Sequence, residues 1–384
     1  MSNQINQAVS KVFNQLADAL ETGHIEPRIK IGLTIDGSEL GLDVMRQAAE
    51  TIKQNNLFDV VLIGSDVEWA RDFEHVSTTD CQKDAYEMME ELLHDGKIDG
   101  CVTLHYNFPI GVATVGRVIT PAFGREMIIA TTTGTASTQR NEAMLLNAIN
   151  GVAVAKTLGH KDPTVGILNV DGAKTVERAL VSLKENGYEL NFGESARADG
   201  GIVLRGNDLL TGTCDVVVCD SLTGNVLMKL FSAYNSGGQY EVAGFGYGPG
   251  VGLNYRDNIC IISRASGAPV IANALTYAYE LAKGKIADVS KEEYDKALSA
   301  QLNAIRESLQ VKTETSEKVI APEKEIVTAE IGGIDVMELE EAVQALWKRN
   351  IYAESGMGCT GPVLLVNEKN EAVAGELLKT EKYL

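Results

Sequence analysis

A cysteine set among glycines and followed by a proline, Gly356-Met357-Gly358-Cys359-Thr360-Gly361-Pro362, is the most distinctive chemical feature of this sequence. Such a turn can expose the thiol and leave backbone N–H groups free around it. A thiolate there could be stabilised by those dipoles or by a nearby cation. A thioester oxyanion could use the same donors. The residues alone favour a plainer reading, a structural cysteine in a tight turn.

A second chemical stretch runs from Asp215 to Tyr234. Its apolar run Val216-Val217-Val218-Cys219 suits a strand buried on both faces. Asp220-Ser221-Leu222-Thr223-Gly224-Asn225 then turns into a helix with Val226, Leu227, Leu230 and Phe231 on one face. Strand, small-residue turn and helix together aim free N–H groups at an anion. Thr223 or Asn225 could cap that helix. An ordinary βα junction has the same pattern, and spacing alone favours it. His105 falls at an expected strand end, where a base would be useful, although a lone histidine is more often structural. Cys101 and Cys219 read as buried strand cysteines, with a second thiol near the site as the sharper alternative.

These residues must be held by a fold, and the alternation along the chain indicates which. Strands are expected at 29–35, 60–63, 100–104, 127–130, 164–170, 201–204, 216–219 and 259–263, with helices between them. One of those helices is expected at Ile110–Ile119, and others after Asp36-Gly37-Ser38, over Lys83–His94, over Asn141–Leu158 and over Val270–Lys283. This spacing implies a mostly parallel sheet covered on both faces, with ligands beyond the strands' carboxyl ends. Those ends are Asp36, Ser65, Thr131–Thr135, Asn169-Val170-Asp171 and Asp220. Residues 244–253, GFGYGPGVGL, read as a glycine-dense loop approaching a ligand. They do not follow the dinucleotide pattern, and no organic cofactor is expected.

Three segments are expected. Residues 1–28 carry an amphipathic packing helix with Ile5, Val9, Val12, Phe13, Leu16 and Leu20 on one face. Residues 29–310 form the α/β domain. It closes with a helix begun by a Ser290/Glu293 capping box, bearing Tyr294, Leu298, Leu302, Ile305 and Leu309. Residues 311–384 form an exposed linker to about 325 and an α+β extension bearing Cys359. That extension holds a capped helix at Asp335–Arg349, a strand at Val363–Val366 and a final helix or strand.

The 384 residues suffice for one large α/β domain or two smaller ones. With 34 basic and 53 acidic residues the formal net charge is −19. That argues against nucleic acid or an anionic membrane as the main partner. Six scattered cysteines, none in a CxxC pair or a His/Cys cluster, suit a reducing cytoplasm and offer no zinc site. The N-terminus lacks a signal-peptide pattern, and no run approaches 18 apolar residues.

The Asp220 turn resembles the aspartate-glycine-x-x-glycine-asparagine segment of bacterial acyl-carrier-protein:phosphate acyltransferases. Asp220, Gly224 and Asn225 match it, and Ser221 stands in place of a glycine. The strand order over residues 29–285 and the segment ILNVDG correspond as well. The Cys359 tail brings the chain closer still to a related family, the component C α subunits of glycine/sarcosine/betaine reductases. Gly37-Ser38-Glu39, the turn with His105 and Tyr106, and Ser263-Arg264-Ala265-Ser266 depart from the acyltransferase pattern. These departures weigh against a long-chain acyl substrate.

The resemblance implies a three-layer α/β/α fold shared with phosphotransacetylases. It implies that Cys359 carries an acetyl group as a thioester. Selenoprotein A would supply that group as carboxymethyl on selenium, and phosphate would release it as acetyl phosphate. A β subunit, and hence a hetero-oligomer, is also implied. Phosphate would need aligned N–H donors and a cation. The candidates are Thr132 and Thr133 of the Thr131–Thr135 turn, Thr223, Gly224, Asn225 and Arg264, with Lys174 and Lys229 as weaker ones. Asp220 would orient a donor. A phospholipid-synthesis acyltransferase with an unusual tail, or a non-catalytic scaffold subunit, are the alternatives.

Overall fold

The computed structural model describes residues 28–79, 82–198, 200–309, 319–335, 338–358 and 361–384. The expected N-terminal helix, most of the first half of the linker, and Cys359 lie outside these residues. Among the described residues no helix is long and apolar enough to cross a membrane.

The first parallel set of strands is β1 (Lys30–Thr34), β2 (Asp59–Gly64), β3 (Glu74–Ser77) and β4 (Gly100–Leu104), with β12 (Ile259–Ile262) added beside β4. Strands β2, β4 and β12 are short apolar runs buried on both faces, as a helix-covered parallel sheet requires, while β3 is a polar edge strand. The helices over it are α1 (Leu42–Asn55), α2 (Gln82–His94) and α7 (Ala268–Lys283). The second set is β6 (Glu126–Thr135), β7 (Thr164–Leu168), β8 (Asn191–Phe192), β9 (Val203–Leu204) and β10 (Val216–Val218). Its helices are α3 (Arg140–Thr157), α4 (Ala173–Glu185), α5 (Gly206–Thr211) and α6 (Ser221–Ala233). Helix α3 is buried on nearly every side between the sheet and α8 (Ile286–Ser299). Its small residues, Ala148, Gly151, Ala153 and Ala155, allow that close approach.

Two strands join the sets, and both correct the sequence reading. Residues 112–119 are not helical: they form β5 (Val112–Ile119), antiparallel to β6. Residues 248–252 are not loop: they form β11, antiparallel to β5 and to β12. The path is β3-β2-β1-β4-β12-β11-β5-β6-β10-β7-β8, with β9 beside β7. The reversals at β11 and β5 make the two parallel sets run in opposite senses. The carboxyl ends of the two sets therefore point in opposite senses, with β11 and β5 between the sets.

The expected helix after Ser290 is also corrected. Helix α8 starts four residues earlier, and a left-handed Gln301 divides it from α9 (Leu302–Ser308). Ser290 is buried inside α8 and caps nothing. Beyond it, β13 (Ala329–Gly332), β14 (Ala353–Gly358) and β15 (Gly361–Val366) form an antiparallel sheet. Helices α10 (Leu339–Lys348) and α11 (Glu371–Thr380) close a separate apolar core containing Leu346, Leu364, Val366 and Leu378. This module meets α4 through Arg178, whose Nη2 donates to both Glu338 oxygens at 2.6 Å.

Asp215 ties the start of β10 to β7. It accepts from the backbone N and the Oγ1 of Thr164, at 2.8 and 2.7 Å, and pairs with Arg125. Burial pushes its pKa up, but those hydrogen bonds and the guanidinium outweigh burial and hold it below the usual carboxylate value. A depressed folded pKa gives stability that is present above the unfolded value near 4 and lost as pH falls through the folded one. Asp215→Asn is expected to lower the melting temperature at neutral pH, at a cost of about 1–3 kcal/mol. The difference from wild type should shrink as pH falls through the folded pKa of Asp215, which lies below the usual carboxylate value.

Candidate active site

Where the two sets meet, a cavity of about 580 Å³ opens. The end of β4 contributes His105, and the turn after β12 contributes Ser263 and Arg264. Thr133 and Gly134 of β6, Asn225 of α6, Tyr247, Glu39, Tyr106 and Asn107 also line it. His105 holds a left-handed backbone with φ 54°, which turns the chain sharply off the strand. On the other side of Gly134 lies a smaller cavity of about 240 Å³. Thr131, Ser137, Arg140, Asn147, Asp220 and Ser221 line it, and Gly134 borders both spaces.

Helices α3 and α6 both present their first turns to the smaller cavity. Asp220, and neither Thr223 nor Asn225, caps α6. One carboxylate oxygen accepts from the Thr223 backbone N at 3.1 Å, the other from Thr223 Oγ1 at 2.7 Å. Arg140 Nη2 donates to Asp220 at 3.1 Å, and its Nη1 lies 3.5 Å from Asp171. Burial raises the Asp220 pKa, but the Thr223 hydrogen bonds and the Arg140 charge prevail and keep it ionised. A guanidinium carries five N–H donors, and these contacts use two. Asn147 donates from Nδ2 to the Cys219 carbonyl at 3.3 Å, while its buried Oδ1 has no partner among the described residues. One cation and two helix N-termini face this space, which suits an anion, whereas the free Asn147 oxygen can only accept a hydrogen bond.

The expected site residues divide. Thr133, Asn225 and Arg264 line the large cavity, and Asp220 lines the small one. Thr132 reaches neither. Its side chain is buried in the sheet, where Oγ1 donates to the Tyr247 carbonyl at 2.7 Å and shares a hydrogen with Thr114 Oγ1 at 2.6 Å. Thr223 is occupied in the cap. Gly224 faces the strand rather than a ligand, because a Cβ there would lie 1.7 Å from the Thr131 carbonyl oxygen. Lys174 pairs with Glu177 at 2.9 Å, and Lys229 with Glu241 at 2.7 Å.

Cys101 and Cys219 are fully buried. Burial, with the Asp220 charge added, pushes the Cys219 thiol up to about 12, and burial pushes Cys101 higher still. Neither is a nucleophile at neutral pH. Strands β14 and β15 pair up to Gly358 opposite Gly361, and Cys359 between them lies outside the described residues. The residue that sequence reasoning missed is Arg140. Its signal was the string Ala136-Ser137-Thr138-Gln139-Arg140, small and polar residues ending in a cation at a helix start.

A family model described as "Fatty acid synthesis protein" matches residues 29–365. The chain is 52% identical over 381 residues to the "Glycine/sarcosine/betaine reductase complex component C subunit alpha" of Peptoclostridium acidaminophilum, covering 98% of each chain. It is 26% identical over 233 residues to a "Phosphate acyltransferase" of Thermotoga petrophila, covering 53% of this chain and 67% of that one. A branched-chain phosphotransacylase structure from Enterococcus faecalis matches at 14% identity and a TM-score of 0.48, over 66% of this chain and 99% of that one. The chain thus belongs to the fatty acid synthesis protein family, and within it shares half of its residues with a component C α subunit.

Proposed function

We propose that this protein is the α subunit of a component C of glycine, sarcosine or betaine reductase and that it makes acetyl phosphate. Its first partner, selenoprotein A, presents a carboxymethyl group on selenium. The group is taken as an acetyl thioester on Cys359, leaving protein A oxidised. The C–Se bond breaks as the selenium joins a thiol of protein A, and the two electrons so released reduce the carboxymethyl carbon to methyl. The Cys359 sulfur takes the acyl carbon while the carboxyl oxygen leaves as water. A phosphate oxygen then attacks the thioester carbonyl, the C–S bond breaks, and Cys359 leaves as a thiolate. A β subunit completes the hetero-oligomer, in a cytoplasmic setting. Support comes from the likeness to the Peptoclostridium subunit along almost the whole chain.

The observation that carries the phosphate half is Arg140 beside Asp220 at the mouth of two helix N-termini. Phosphate is held there by the remaining guanidinium donors and first-turn N–H groups. Asp220 fixes the guanidinium and does not touch the anion, since two negative charges in contact would repel. The thioester carbonyl occupies the adjoining large cavity, beside Thr133, Asn225 and Arg264. Gly134 borders both spaces and places no side chain of its own between nucleophile and carbonyl.

The test is to treat the protein, together with its β subunit, with acetyl phosphate and to map adducts by mass spectrometry. An acetyl group confined to the Cys359 peptide, and removed by added phosphate, is expected. A protein that forms no adduct yet transfers acyl groups from acyl carrier protein to phosphate would instead be an acyltransferase of phospholipid synthesis. One that does neither would be a scaffold.

A further inference from the structure

Behind the large cavity lies a polar cluster that the reaction above does not use. Glu241 is 1% exposed. It accepts from Lys229 Nζ at 2.7 Å, from Ser266 Oγ at 2.8 Å and from the Tyr247 hydroxyl at 3.1 Å. A buried carboxylate with a cation and two hydroxyl donors is fully satisfied and rigid. It anchors the turn after β12 from below, because Ser266 Oγ also accepts from the Ser263 backbone N at 3.1 Å.

Lys229 makes a second contact. Its Nζ donates to Ser263 Oγ at 3.0 Å, and the backbone N of Ala265 donates to the same oxygen at 3.2 Å. A serine hydroxyl has two acceptor positions and one proton. Both acceptor positions of Ser263 are filled, and an ammonium can only donate. The proton has no acceptor among the described residues, and Ser263 lines the large cavity.

We infer that Lys229, held by Glu241, is a positioning residue that commits the Ser263 hydroxyl to donate into the large cavity, onto the carbonyl oxygen of the acyl group. The inference rests on the reaction proposed above. As phosphate adds and the carbonyl carbon becomes tetrahedral, charge gathers on that oxygen. The Ser263 hydrogen bond strengthens there without its proton being transferred. The Lys229 charge polarises the hydroxyl and makes it a better donor.

The test combines kinetics with the infrared spectrum of bound acetyl phosphate, isotope-labelled at its carbonyl carbon. In wild type the carbonyl stretch is expected to fall relative to free acetyl phosphate. Ser263→Ala and Lys229→Met should each move it back and lower kcat, the first by about a hundredfold and the second by about tenfold. The double variant should match Ser263→Ala alone in both readouts, and Lys229→Arg should restore most of the effect. Since Lys229→Met leaves Glu241 buried beside no cation, Lys229→Met with Glu241→Gln provides a neutral version, checked by its melting curve. Additive losses, or an unchanged stretch in the Lys229 variants, overturn the inference and leave the proposed reaction standing. Wild type that binds no acetyl phosphate overturns both.

Discussion

Replacing Arg140 by methionine is expected to lower kcat/KM for phosphate by about a hundredfold, equivalent to about 2.7 kcal/mol. Most of the loss should be in KM. The magnitude follows from what the side chain would give up. A hydrogen bond to a charged group contributes about 1.5–3 kcal/mol, and a guanidinium can place two on one phosphate. Stability should change little. The Arg140–Asp220 pair is part-exposed, with 45% and 15% of the two side chains accessible, and such pairs contribute about 0–1 kcal/mol. Asp220 keeps its cap, because both Thr223 contacts are independent of Arg140. Arg140→Lys should recover only part of the affinity, since an ammonium cannot bridge phosphate and Asp220 in one plane. The measurement is phosphate saturation kinetics of wild type and both variants, with thermal melts alongside. An unchanged KM in the methionine variant would remove phosphate from the small cavity.

How much of this was legible beforehand depends on the element. The βα alternation was readable because strands such as Val60-Val61-Leu62-Ile63 are continuous apolar runs between amphipathic helices. β5 was not, because Val112, Val115, Val118 and Ile119 fit a helical face as well as a strand. β11 was not, because Gly248-Pro-Gly-Val-Gly has almost no strand propensity. It is a strand because it pairs with β12 and β5, and its glycines are needed because backbone comes close: a Cβ on Gly248 would lie 1.8 Å from the Val115 carbonyl oxygen. Missing those two strands hid the reversal of direction, and with it the reason His105 and Asn225 share a cavity. Of the site, the Asp220 turn was visible as a motif. The roles of its members were not, since a cap and a packing glycine leave the same letters as an anion loop. Arg140 stands outside those turns, at the first position of the next helix, where a cation reads as solvated surface.

Gly224→Ala is the prediction in which fold and site meet. Alanine is the better helix former by about 1 kcal/mol, so propensity alone predicts a stabilised protein. Packing predicts the reverse. The new Cβ would lie 1.7 Å from the Thr131 oxygen, 2.8 Å from its carbonyl carbon and 3.1 Å from Cys219 Sγ. None of these is the free end of a flexible side chain. Thr131 lies in β6 with its Oγ1 bonded to the Thr114 carbonyl at 2.6 Å, so it cannot retreat without disturbing β5. The helix must move instead, and overpacking of this kind costs about 3 kcal/mol. That exceeds the propensity gain, so a net loss of about 2 kcal/mol is expected, seen as a melting point several degrees lower. Moving the first turn of α6 also carries Asp220 and Asn225 away from Arg140 and Thr133, so phosphate KM should rise in the variant that remains folded. Gly224→Ser should behave like alanine, because the obstacle is the Cβ itself. A stabilised alanine variant with normal phosphate kinetics would show that α6 does not sit this close to β6 and that Gly224 serves the backbone alone.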